Sequence, residues 1–196
     1  MKPQTFTWKK LTADELTRVY LDEMRRDFPP SELKPLSMIL NSEAVGMAHT
    51  WGVFEGETLV SYLLMVRPMG CEVSQLDYFS VLPAYRSTGI GARLLAALPA
   101  HEEGAKAILI EAECPEKADD EAMAVRRLGF YARCGASFRR MVPGAGPACR
   151  GGDTGGGDGQ QRAGRLLQPG DGRGQVAQIC PALPPGRHGR EILIRS

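Results

Sequence analysis

Apolar residues recur along the first two-thirds of this chain with two periods, and each period predicts an element. Leu16, Val19, Tyr20, Met24 and Phe28 fall on one helical face. Thr12 and Glu15 fit a capping box at its start, Leu11 and Leu16 can close a hydrophobic staple over it, and Pro29-Pro30 stops it. Before it, Phe6–Leu11 alternates as a strand. A shorter helix is predicted around Leu36–Leu40. Thr50–Phe54 and Thr58–Val66 flank Glu55-Gly56-Glu57 and read as a hairpin. Beyond the turn signal Pro68-Met69-Gly70, Cys71–Leu82 predicts a strand. Leu94, Leu95 and Leu98 then give a helix its apolar stripe, ended by Pro99. Ala107–Glu113 predicts a central strand buried on both faces. Asp119 or Asp120 can cap a helix running to about Cys134, with Gly135 as its left-handed stop. Ser137–Val142 predicts one more strand. The order is that of a mixed α/β domain.

Past Val142 the pattern fails. Of the 23 glycines, 14 lie from Gly144 onward, no aromatic residue follows Phe138, and no lysine follows Lys117. Residues 143–175 hold only Leu166 and Leu167 as large aliphatic side chains, a composition that cannot repay chain entropy through burial. The expected organisation is therefore a domain over 1–142 and a Gly/Arg/Pro-rich tail over 143–196. Only Glu191–Arg195 is strand-like within that tail. Two readings of the tail stay open: a reading frame that has slipped after about Arg140, or a genuine linker ending in a late strand.

Charge and cysteine usage narrow the classes further. A net charge of +1 gives no global pull toward nucleic acid or an anionic membrane. No apolar run reaches the roughly 20 residues that span a bilayer, and the first residues lack the apolar core of a signal peptide. The five cysteines are odd in number and widely spaced, and read as reduced cytoplasmic thiols. Neither they nor the three histidines form a metal set.

The chemistry is concentrated between Leu76 and Leu95, where a predicted strand ends at Pro83, a basic glycine-containing turn follows, and a helix begins. A helix N-terminus presents unpaired N–H groups and a partial positive charge, so this arrangement suits an anion. Gly89 and Gly91 allow a phosphate close to the backbone, and Arg86 can add charge-assisted bonds. A dinucleotide fingerprint fails because its third glycine would fall at Leu94, and a triphosphate loop fails because no lysine occurs from Gln75 to Glu103. Arg86-Ser87-Thr88-Gly89-Ile90-Gly91 instead resembles the coenzyme A signature of the GCN5-related N-acetyltransferase (GNAT) family. Phe130-Tyr131-Ala132-Arg133-Cys134-Gly135 is similar to a Phe-Tyr-x-x-x-Gly segment near the end of that family's domain. The resemblance covers Thr5 to about Met141.

It implies the acyl-CoA N-acyltransferase fold, a central, mostly antiparallel sheet flanked by helices, and acetyl-CoA as co-substrate. In such a site the coenzyme's arm lies between two strands that splay apart, here Cys71–Leu82 and Ala107–Glu113. Backbone at Phe79, Ser80 and Val81 would hold the arm, and Ser87, Thr88, Gly89, Ile90, Gly91 and Ala92 with Arg86 would take the diphosphate. Tyr131 is the implied general acid for the departing thiolate, since a tyrosine is protonated at neutral pH. Asp77, Glu111 and Glu113 are the nearest carboxylates to accept the amine's proton. One departure is Ala124, where many members carry a coenzyme-contacting Asn; Arg126 and Arg127 stand nearby.

The implied activity is transfer of acetyl from acetyl-CoA to a small-molecule or peptide amine in the cytoplasm. Two alternatives remain: a protein that binds coenzyme A without turnover because its acceptor side is incomplete, and an interaction module whose Arg/Gly tail contacts RNA. The sequence does not name the amine, and it leaves open a homodimer.

Overall fold

The computed structural model describes residues 5–138 and 191–195. Seven strands form one mixed sheet in the order β1-β2-β3-β4-β5-β7-β6. They are β1 Thr7–Lys10, β2 Ala48–Glu55, β3 Thr58–Val66, β4 Val73–Val81, β5 Ala107–Glu111, β6 Ser137–Phe138 and β7 Glu191–Arg195. The first four are antiparallel neighbours, whereas β4, β5, β7 and β6 run parallel to one another.

The first helical run, α1, spans Ala13–Val19, passes through a π-helical stretch Tyr20–Met24 and closes with the turn Arg25–Asp27. Its start is the predicted capping box: Glu15 N–H donates to Thr12 Oγ1 at 3.3 Å, and Thr12 N–H donates to Glu15 Oε2 at 3.0 Å. Leu36–Ala44 forms α2. With α1 it covers one sheet face, burying Leu16, Val19, Met24 and Ile39 against Tyr62, Leu64 and Tyr78. The opposite face carries α3 (Ile90–His101) and α4 (Glu121–Arg133). There Ile90, Leu94, Leu95 and Leu98 pack on Leu63, Met65, Leu76 and Ile108. Asp120 caps α4 by accepting from Met123 N–H at 2.9 Å, and Gly135 at φ +84° follows its end.

Several boundaries differ from expectation. Pro99 does not end α3, which runs on to His101, because a proline in the last turn forfeits a single hydrogen bond. β5 stops at Glu111, so Glu113 is not a strand residue. Of Ser137–Val142 only Ser137–Phe138 is described as strand, and 139–142 lie outside the described residues. The tail proposed over 143–190 lies outside them as well. Glu191–Arg195 is a strand, as its alternation suggests, and it pairs in parallel with β5 and β6, a relation no tight hairpin can join. Cys71 is disulfide-bonded rather than a reduced thiol, while Cys114 and Cys134 are free. Among the described residues no helix is long and apolar enough to cross a membrane, and no His/Cys/Asp/Glu group could hold a metal.

The end of α3 is tied to the sheet by a buried carboxylate. Glu102, 2% exposed, accepts from Trp51 Nε1 at 2.9 Å and Ser74 Oγ at 2.9 Å, and lies 2.7 Å from His49 Nε2. Burial alone would push its carboxyl up, but the bonds from His49, Trp51 and Ser74 more than offset this and hold it low. A group depressed in the folded state adds stability that is full above its ordinary value of 4.5 and is lost as pH falls through the folded value. Thermal melts of Glu102→Ala should show a loss of about 1–3 kcal/mol at neutral pH, because the Trp51 and Ser74 donors are stranded. They should also show a shallower decline on acidification than the wild-type chain.

Candidate functional site

A gap in the sheet creates the site. β4 and β5 pair only from Val73↔Ala107 to Leu76↔Ile110, whereas β4 stays paired to β3 as far as Ser61↔Val81. Within β3 and β4 the register slips: Leu64 faces Tyr78 and Met65 faces Leu76, leaving Asp77 as the extra residue of a β-bulge. Beyond the bulge, the edge of Asp77–Val81 turned from β3 carries no β5 pairing. Such an edge can accept an extended chain through its backbone groups.

The gap opens into a cleft of 1570 Å³ lined from both sides of the sheet. Phe28, Leu33, Met38 and Leu64 line it on the α1–α2 side, and Phe130 and Tyr131 of α4 on the other. Asp77, Phe79, Ser80, Val81, Arg86, Ser87, Gly89, Ile90, Gly91, Ala92 and Glu111 also line it, so most of the residues singled out in the sequence converge here. Two do not. Thr88 turns its hydroxyl back to donate to Tyr85 O at 2.6 Å, and Glu113 is exposed beyond the end of β5 and outside the lining.

At the rim the chain leaves β4, makes a 3-10 turn over Pro83–Tyr85 and enters α3. Ser87 and Gly89 both take positive φ, +62° and +80°. For Ser87 this is a strained conformation of a kind that clusters at ligand clamps. Gly89 is the N-cap of α3 and caps no N–H group with a side chain, which leaves the first helical donors for an anion. Gly91 is needed for closeness: a Cβ there would stand 3.3 Å from Phe130 Cζ and 3.6 Å from Val81 Cγ2.

Arg86 is not the loose cation that the sequence suggests. Its Nε donates to Val81 O at 2.7 Å, and its Nη2 to Asp27 Oδ1 at 3.0 Å. Asp77 is likewise engaged, with Oδ2 at 2.5 Å from Lys34 Nζ. Lys34 N–H donates to Tyr78 Oη at 2.9 Å, which donates to Glu32 O at 2.8 Å, so the segment after α1 is pinned across the cleft. Burial pushes the Tyr78 hydroxyl up to about 12, keeping it a donor. Burial also pushes the Tyr131 hydroxyl above its usual value; the Arg127 cation one turn earlier opposes this, and Cys134 adds to it. Arg127 and Arg133 line the cleft beside Tyr131, but Arg126 does not.

Sequence reasoning missed Asp27, whose side chain is 5% exposed and meets Tyr62, Ser80 and Arg86. The only signal was its place at the end of an amphipathic helix, just before Phe28-Pro29-Pro30. Apart from the neighbouring Arg26, whose Nη2 is 3.4 Å from its Oδ1, its partners lie 35 to 59 residues away, and no local pattern reports such pairs.

Residues 41–135 match the family model described as an acetyltransferase (GNAT) domain. Just under half of the chain is therefore similar to a GNAT domain. Both the turn over Arg86–Gly91 and Tyr131 fall within the matched span, whereas β1, α1 and Asp27 precede it. Among solved structures, a GNAT-family protein from Bacteroides thetaiotaomicron is similar over 65% of this chain and 69% of its own, at 24% identity and a TM-score of 0.53. The ribosomal-protein-S18-alanine N-acetyltransferase of Escherichia coli is similar over 74% and 85%, at 15% identity and TM-score 0.53. A GNAT-family protein from Desulfovibrio desulfuricans is similar over 71% and 89%, at 19% identity and TM-score 0.52. At these identities the likeness shows the fold, an acyl-CoA N-acyltransferase sheet flanked by helices. No curated protein matches the chain.

Proposed function

We propose that this domain transfers an acetyl group from acetyl-CoA directly to an amine. The observation that carries the reading is the edge Asp77–Val81, unpaired to β5, which leads straight to a helix N-terminus without a side-chain cap and shares one cleft with Tyr131. The diphosphate would lie on the N–H groups at the start of α3, with the coenzyme's arm along the β4 edge as an added strand. A backbone N–H of that edge would polarise the thioester carbonyl. The amine would enter from the α1–α2 side, where Phe28, Leu33 and Met38 line the cleft.

The amine nitrogen, neutral after losing a proton through water to a carboxylate, attacks the thioester carbon. As the C–N bond forms the C–S bond breaks, the thiolate takes the proton of Tyr131, and the proton that the nitrogen sheds on becoming an amide returns through water to the Tyr131 phenolate. Asp77 and Glu111 both line the cleft and can receive the amine's proton; Glu113 is placed too far out to be favoured for this role. The ion pair of Asp77 with Lys34 gives the second reading, a coenzyme-binding protein without turnover, its specific support.

Calorimetric titration with acetyl-CoA should show heat saturating at one coenzyme per chain. Release of free thiol with a panel of small-molecule and peptide amines then separates the readings. Turnover on any amine establishes the transferase, and binding with no turnover favours the second reading. A folded chain that gives no heat would overturn both.

A further inference from the structure

Asp27 sits where three parts of the site meet. It ends α1, and the very next residue, Phe28, lines the amine side of the cleft. Its Oδ2 accepts from Ser80 Oγ at 2.7 Å and from Tyr62 Oη at 3.0 Å, which fixes it to β4 and β3. Its Oδ1 accepts from Arg86 Nη2 at 3.0 Å, and Arg86 Nε is held by Val81 O at 2.7 Å. The guanidinium is therefore clamped at two of its nitrogens, one residue before the strained Ser87 that starts the anion turn. Burial alone would push the Asp27 carboxyl up, but bonds from Ser80 and Tyr62 and the Arg86 cation hold it below its usual value, and so charged.

A buried negative charge beside an anion-binding turn opposes the anion. The pair that Asp27 makes with Arg86 is neutral, so Arg86 brings little net attraction to a diphosphate while Asp27 is there. What the pair does supply is rigidity, by pre-setting the turn and pinning the end of α1 to it.

The geometry points to Asp27 as a positioning residue that latches the amine-side wall, Phe28–Pro35, to the diphosphate turn through Arg86, so that coenzyme binding orders both halves of the cleft together. This rests on the reading that the cleft binds coenzyme A, and one set of titrations separates the two. If Arg86 acted only as a charge, Asp27→Asn would unmask it and tighten binding of coenzyme A. Positioning requires the opposite sign: a rise in Kd of at least fivefold in Asp27→Asn. That loss should be absent in an Arg86→Gln background, because the latch is already open there. Hydrogen exchange supplies a readout that mere stability would not move. Coenzyme A should slow amide exchange across Phe28–Pro35 in the wild-type chain and fail to do so in Asp27→Asn.

Should Asp27→Asn not fold, Tyr62→Phe carries the test, since it removes one bond to Asp27 from a residue outside the cleft lining; a two- to threefold rise in Kd is expected. Wild-type binding combined with an unchanged or tighter Kd in the folded variant, multiplicative losses in the double variant, or exchange at Phe28–Pro35 that ignores the coenzyme would overturn the latch alone. A wild-type chain that binds no coenzyme A would overturn the underlying reading with it.

Discussion

Replacing Tyr131 by Phe should lower kcat by about a hundredfold or more while leaving the KM for acetyl-CoA within about twofold, the scale expected for loss of a general acid. The ring stays, so its packing beside Phe130 stays; only the proton source goes. The pH profile sharpens the test. Burial raises the Tyr131 hydroxyl above its ordinary value of 10.0, so the protonated, competent form persists through the alkaline range. Activity that rises from neutral pH as the acceptor amine loses its proton should therefore fall off only above pH 10, and Tyr131→Phe should lack that fall. A variant with unaltered kcat and an unaltered alkaline limb would make Tyr131 a packing residue.

Gly91→Val should abolish detectable coenzyme A binding, a loss of more than about a hundredfold, with destabilisation of about 1–3 kcal/mol from overpacking. The reason is space. A Cβ at position 91 already stands 3.3 Å from Phe130 Cζ and 3.7 Å from Phe79 Cζ, and valine's two methyl groups must go either into those rings or into the volume above the first turn of α3. Titration and a thermal melt of the same sample separate the two effects. Binding within a few-fold of wild type would show that the diphosphate does not lie on this turn.

The elements of the domain were legible because each carried a local signal. The capping box at Thr12 and Glu15, the stripe Leu94, Leu95 and Leu98, and the stop at Gly135 all depend on residues within a few positions of one another. The bend between β4 and α3 was legible for the same reason, since Gly89 and Gly91 act through the backbone they occupy. What the sequence did not disclose was partnership. The tie of Arg86 to Asp27 spans 59 positions and that of Asp77 to Lys34 spans 43, so neither ion pair could be read from local spacing. Glu111 and Glu113 were expected to lie on one strand, but β5 ends at Glu111, a boundary that the apolar run alone does not mark. The Cys71 bond was hidden by an odd cysteine count and wide spacing.

The single extra residue at Asp77 has a reach well beyond its own position. Leu76 belongs with the α3 layer and Tyr78 with the α1 layer although they are two residues apart, a separation that in an unbroken strand would put them together. From that point the parity of the strand is inverted, which sends Ser80 toward Asp27 and leaves Phe79 and Val81 against Gly91. A descendant of this chain that lost that one codon would fall back on plain alternation, with Tyr78 and Ser80 still on the α1 side and Phe79 and Val81 on the α3 side; what it would forfeit is the Asp77 carboxylate and the bend of the bulge.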